Sequence, residues 1–265
     1  MSKWKKIALK ALIALSLTTA SIYIFAPWEY GLYYLKPLPN SIQKEMQQAT
    51  EHGLDGIIVY VDAGNKDPQL YASGWHNREQ QQPAYGSALF KIASIAKLYE
   101  ASAVAKLTAA NILNLDSTLA SYLPELTTRI ANADQISLRM MVQHRSGIPN
   151  FTDQAGFDWA SNSLDVLSLV LDKPADFMPD EDYAYSNTNY LLLQKVMTRA
   201  LGYDYTDYIR NEILLPLGLQ DTYFSIHEAP TNEIMSGYYV GYEQDFKHLD
   251  QGYVASAQDV GVFLR

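Results

Sequence analysis

The chain has 265 residues, of which 48% are hydrophobic and 18% charged, and it carries a net charge of −9 with no cysteine. That length holds one large domain or two small ones, and the composition excludes a disordered tail, a collagen-like fibre and a coiled coil. There can be no disulfide framework, thiolate nucleophile or Cys-ligated metal, and His52, His76, His144, His227 and His248 show no ligand spacing, so neither a metal nor a cofactor is expected.

Lys3, Lys5, Lys6 and Lys10 all fall in the first 28 residues, which contain no acid, so the remainder holds 16 basic against 29 acidic residues, a net of −13. Phosphate backbones would repel such a body, and no basic stripe offsets it, so no nucleic acid partner is expected. After the lysines, Ala11 to Trp28 is an apolar run interrupted only by Ser16, Thr18, Thr19 and Ser21. About 18 to 20 helical residues span roughly 30 Å of hydrocarbon. The lysines keep their end in the cytoplasm, and Trp4 before the run with Trp28, Tyr30, Tyr33 and Tyr34 after it suit the two interfacial belts. The expectation is a single-pass inner-membrane anchor over residues 1–36, with residues 37–265 on the periplasmic side. A cleaved signal peptide ending at Thr18-Thr19-Ala20 competes, but apolar character continues through Phe25 where a mature N-terminus turns polar.

Pro37 and Pro39 close the anchor region, and Ser41 to His52 reads as a short helix stopped by Gly53. Gly56 to Asp62 is a β-branched strand, Ala63 to Pro68 a turn, and Gln69 to Trp75 a second strand. From Ala88 the pattern turns helical: Ser94 to Ala110, Ser137 to Gln143, Leu164 to Leu171, Thr188 to Leu201 and Tyr205 to Ile213, with Gly202 and Gly218 as stops. Strands followed by helices imply a sheet beside a helical region, yet two strands are too few for a stable sheet. Ser256 reads as the N-cap of a last helix, with Asp259 three residues on.

Ser94-Ile-Ala-Lys97 is an S-x-x-K whose spacing puts both side chains on one helix face. A lysine that is partly neutral can take the serine proton and make the oxygen a nucleophile. By itself the pair also fits a serine N-cap and a solvated lysine, and Ser2 with Lys5 and Ser41 with Lys44 match the spacing by chance. Only one Y-x-N exists despite 20 tyrosines: Tyr185-Ser-Asn187, just before a helix. Its phenol could relay protons, and its amide could bind a substrate carbonyl or the lysine.

Phe90-Lys-Ile-Ala-Ser-Ile-Ala-Lys97, Met141-Val-Gln-His-Arg-Ser-Gly-Ile-Pro149, Tyr185-Ser-Asn-Thr-Asn-Tyr190, Pro216-Leu-Gly-Leu219 and Ser256-Ala-Gln-Asp-Val-Gly-Val-Phe-Leu264 occur together and in this order. In them the chain resembles the serine beta-lactamase and penicillin-binding-protein superfamily, in the branch of class C beta-lactamases, D-alanyl-D-alanine carboxypeptidases and related esterases. The resemblance covers roughly residues 50 to 265 and implies an α+β, beta-lactamase/transpeptidase-like fold: an antiparallel sheet with flanking helices plus a helical subdomain. It further implies Ser94 as the acylated nucleophile, Lys97 and Tyr185 sharing general-base and proton-relay work, and Asn187 orienting the substrate. The expected substrate is a small molecule or peptidoglycan-like amide or ester: a D-alanyl peptide, a beta-lactam or a carboxylic ester. His144 is expected to be structural. Two departures stand out: Pro179-Asp180 replaces a usual Pro-Gly, and Gln194 stands where a glycine is common.

The family's third signature, a Lys or His, one residue, then Gly on a strand, is absent: there is no K-T-G, K-S-G or H-x-G. Because the last helix stops at Arg265 without a capping glycine, the expectation is a chain cut before its C-terminal strands. An inactive acyl-binding or envelope-interaction protein, or a non-functional fragment, is the alternative.

Overall fold

The computed structural model describes residues 2–161, 164–238, 242–243, 245–250 and 252–265, apart from the side chains of residues 29, 30 and 33. Two of the belt tyrosines, Tyr30 and Tyr33, therefore have side chains outside what is described. The chain divides into two units, Met1–Glu45 and Met46–Arg265.

In the first unit, Ser2 caps helix α1 (Lys3–Phe25) by accepting the Lys5 N–H at 3.4 Å. From Ala11 on the helix carries no charged residue, none of its residues is buried, and its length and composition suffice to cross a membrane. Thr19 donates its hydroxyl to the Leu15 carbonyl at 2.9 Å, so this polar interruption is satisfied within the helix. A short helix α2 (Trp28–Leu35) follows. Helix α3 (Ile42–Glu51) runs across the boundary between the units.

The second unit opens with the expected hairpin. Strands β1 (Gly56–Val61) and β2 (Gln69–Asn77) pair antiparallel, Gly56 opposite Gly74 and Val61 opposite Gln69, and the short β3 (Gln82–Pro83) extends the sheet in the order β1-β2-β3. A second antiparallel sheet, invisible to local patterning, combines β4 (Leu89–Lys91) with two strands far along the chain. These are β5 (Thr222–Tyr223) and β6 (Val254–Ser256), in the order β4-β6-β5. Strands of two or three residues carry no readable alternation, so only the tertiary pairing of Leu89 with Ser256 and Lys91 with Val254 reveals them.

Between the strands lies a helical layer. Helix α4 (Ala96–Ala109) buries Tyr99, Ala103 and Leu107 on one stripe. Helices α5 (Leu119–Tyr122) and α6 (Leu138–Val142) are short, each opened by a hydroxyl cap, Thr118 and Ser137. Helix α7 (Asn187–Leu201) buries Leu192, Leu193, Val196 and Met197 at helical spacing and ends on Gly202 in the left-handed conformation, φ 76°. Helix α8 (Tyr205–Ile209), capped by Asp204, widens into a π turn over Arg210–Leu214, and α9 (Leu215–Leu217) stops at Gly218, φ 70°. Helix α10 (Ala257–Phe263), capped by Ser256, packs on β1 so closely that a Cβ on Gly261 would lie 2.2 Å from the Tyr60 ring.

One expected helix does not form. Around Leu164 to Leu171 the chain makes successive tight turns, in which Asp165 accepts both the N–H and the hydroxyl of Ser168. Those local bonds compete with the i to i−4 ladder. The segment ends on Asp172 at φ 62°, clamped by the Arg129 guanidinium at 2.7 Å. The apolar residues that suggested a helix, Leu167 and Leu171, pack against the core from these turns.

Candidate active site

Ser94 sits where strand β4 turns into helix α4. Ala93, just before it, adopts φ 46°, a conformation uncommon for a residue with a Cβ. The tight turn Ala93–Ile95 leads straight into α4, leaving Ser94 exposed at the helix start with Lys97 one turn on. Tyr185 and Asn187 arrive from the segment that opens α7.

The four residues named from sequence meet. Ser94 Oγ lies 2.8 Å from the Tyr185 hydroxyl, and Lys97 Nζ donates to Ser94 Oγ at 3.1 Å. Lys97 Nζ also donates to Asn187 Oδ1 at 2.9 Å and lies 5.2 Å from the Tyr185 ring centroid and 5.8 Å from that of Tyr190. Of the two roles open to the Asn187 amide, the contact made is with the lysine.

Sequence reasoning missed Asn150, which fixes that amide. Asn150 Oδ1 accepts both the Asn187 backbone N–H at 3.0 Å and Asn187 Nδ2 at 3.1 Å. With its nitrogen tied to Asn150, the Asn187 amide must turn its oxygen toward Lys97. An asparagine directly after the Gly-Ile-Pro run was the available signal. The loop carrying it is bound along its length to the α7 entrance: Pro149 O accepts the Thr188 hydroxyl at 2.7 Å, and the Ser146 hydroxyl donates to Asn189 Oδ1 at 2.6 Å.

His144 belongs to that scaffold. It is buried, its Nδ1 accepts the Ser186 N–H at 3.1 Å, and its ring lies 4.5 Å from the Tyr185 ring. Burial, and then the Lys97 charge, hold its pKa below the ordinary histidine value, which suits a ring that accepts at Nδ1. The two departures from the family pattern are accommodated. Asp180 takes φ 68° where a glycine would be at ease, and Arg145 holds it there, Nε donating to Asp180 Oδ1 at 2.6 Å. Gln194 donates to Glu100 Oε1 at 2.8 Å. Among the described residues no group of three or more His, Cys, Asp or Glu is placed to hold a metal ion.

A serine hydroxyl, an amine, a phenol and an amide linked by hydrogen bonds form an arrangement that can support covalent acyl transfer. From residue 42 to residue 265 the chain matches the family described as Beta-lactamase. It is similar to Penicillin-binding protein 4* of Bacillus subtilis (strain 168), at 26% identity over 65% of this chain and 38% of that protein. It is also similar to Protein flp of Staphylococcus aureus (strain N315), at 26% identity over 78% of this chain and 42% of that protein. The chain thus spans about two fifths of the length of these curated relatives. Among solved structures, D-amino acid amidase from Ochrobactrum anthropi SV3, complexed with L-phenylalanine amide, superposes with a TM-score of 0.75 at 26% identity. That alignment covers 85% of this chain and 68% of the amidase. A class C beta-lactamase shares the fold at a TM-score of 0.65 and 20% identity, over 86% of this chain and 66% of that one. Matched to the family over most of its length, and sharing its α+β architecture, the chain belongs to the beta-lactamase family.

Proposed function

We propose that this chain is a serine hydrolase that forms an acyl-enzyme on Ser94 with an amide or ester substrate, a D-alanyl or other D-amino-acid derivative, a beta-lactam or a carboxylic ester. The observation that carries the reading is the pair of contacts on Ser94 Oγ, from Lys97 Nζ at 3.1 Å and the Tyr185 hydroxyl at 2.8 Å. In the proposed step, Oγ attacks the carbonyl carbon while its proton passes to Lys97, directly or through the Tyr185 oxygen. The same proton then goes to the leaving amine or alcohol as the tetrahedral adduct collapses to an ester. Asn187, fixed by Asn150, keeps Lys97 aimed at Oγ, and the Ser94 N–H is the proposed oxyanion donor. The names of the relatives and of the amidase are consistent with such substrates.

A tagged fluorophosphonate tests this, since its phosphorus accepts the Ser94 oxygen and fluoride leaves. The wild-type chain should become labelled and Ser94→Ala should not. Labelling of the alanine variant at the wild-type rate overturns the assignment.

We further propose residues 1–36 as a membrane anchor and 37–265 as the hydrolase domain, facing the extracytoplasmic side. The lysine cluster and the apolar, uncovered α1 support this. The protein should sediment with membranes and resist alkaline washing; a soluble form whose N-terminus is Ser21 contradicts the anchor.

A further inference from the structure

Behind the site, helices α4 and α7 are joined by two polar rungs. The first is Lys97 to Asn187 and the second is Gln194 to Glu100, whose Oε1 accepts the Gln194 amide at 2.8 Å. Lys97 and Glu100 are three residues apart on α4, and Asn187 and Gln194 are seven apart on α7, so each pair shares a helix face. Glu100 is 2% exposed, an uncommon place for a carboxyl, and makes no salt bridge among the described residues. The charged and titratable groups around it are Lys97 on α4, Tyr190 on α7, Tyr205 on α8 and Tyr253 just before β6. The Tyr253 hydroxyl donates to the Tyr205 hydroxyl at 3.4 Å, and Glu100 Oε2 has no hydrogen-bond partner among the described residues. Without the Gln194 amide, Glu100 Oε1 would lose its hydrogen-bond donor.

We propose that Glu100, seated by Gln194 one helical turn behind Lys97, is a positioning residue that acts through the lysine by setting the balance between its ammonium and amine forms. The inference rests on Lys97 being the base of the proposed acylation. An ionised Glu100 attracts the Lys97 ammonium and so opposes the neutral amine that must take the Ser94 proton; a neutral Glu100 does not. Burial raises the Glu100 pKa to about 7, so both forms are populated near neutral pH.

The test is the rate of fluorophosphonate labelling as a function of pH, in wild type, Glu100→Gln and Gln194→Met. Glu100→Gln is isosteric and still accepts from Gln194; Gln194→Met keeps the bulk but removes the donor that favours the carboxylate. Both should move the acid limb of the profile the same way, to lower pH. For Glu100→Gln the displacement should be about half to one unit, roughly three- to tenfold faster labelling at a fixed pH on that limb. Profiles that coincide with wild type, whatever happens to the melting temperature, reduce Glu100 to a packing residue and overturn the inference. If wild type is labelled elsewhere than Ser94, the acylation reading itself has failed, and the two failures are told apart.

Discussion

Lys97→Ala should slow labelling of Ser94 by about 10² to 10⁴-fold, the range over which a positioned general base contributes. Lys97 Nζ bonds Ser94 Oγ and Asn187 Oδ1, so truncation removes the only amine in contact with Ser94 Oγ among the described residues. The fold should survive. Asn187 remains tied to Asn150, and an unfilled acceptor at a half-buried position costs about 1 to 2 kcal/mol. Lys97→Arg separates base from charge, because a guanidinium keeps the positive charge and does not deprotonate. It should be as slow as alanine. A stopped-flow or gel time course of labelling, with thermal unfolding in parallel, checks both; labelling by either variant within threefold of wild type would remove Lys97 from the mechanism.

Much of this site was legible because its chemistry is local in sequence. Ser94 and Lys97 lie one helical turn apart, and Tyr185 and Asn187 flank a single residue, so each half could be read as a short motif. The meeting of the halves depends on α4 packing against α7, which the spacing alone does not give. Asn150 escaped notice because its role is to hold another side chain's amide. In the sequence Glu100 is one of 29 acidic residues, and only its burial sets it apart. The hairpin β1-β2 was legible from β-branched runs around a turn, whereas β4, β5 and β6 were not, because their order comes from contacts between residues near 90, 222 and 255. At 164–171 the apolar pattern was real but its period was misread, since Asp165 and Ser168 close tight turns there.

Gly147→Ala should be among the most damaging single methyl additions in the domain. Gly147 has φ 72°, and a Cβ built on it would lie 2.1 Å from the Phe177 carbonyl oxygen, a backbone atom that no side-chain rotation can move aside. The left-handed conformation costs on the order of 1 kcal/mol for alanine. The clash adds about 1 to 3 kcal/mol as the backbone shifts. The pairing there is tight, since Gly147 O also accepts the Asp176 N–H at 2.9 Å. The effect should reach the site, because the same loop carries His144 beneath Tyr185 and Asn150 beside Asn187. The expected result is a melting temperature lower by roughly 6 to 10 °C. Labelling should also slow at temperatures where the variant is still folded. Gly147→Asn, which tolerates a positive φ but brings the same Cβ, should do nearly as badly; if it matched wild type, the close approach to Phe177 would be wrong.

The central claim, that Ser94 is the atom that becomes acylated, is tested most directly by mass spectrometry of the wild-type chain after reaction with a penicillin or a fluorophosphonate. The account predicts a single adduct, of the full mass of the penicillin or of the fluorophosphonate less HF, located by fragmentation on Ser94 within the peptide that includes Ile92 to Lys97. An adduct on any other residue, or an unmodified chain that nevertheless hydrolyses an ester substrate, would contradict it.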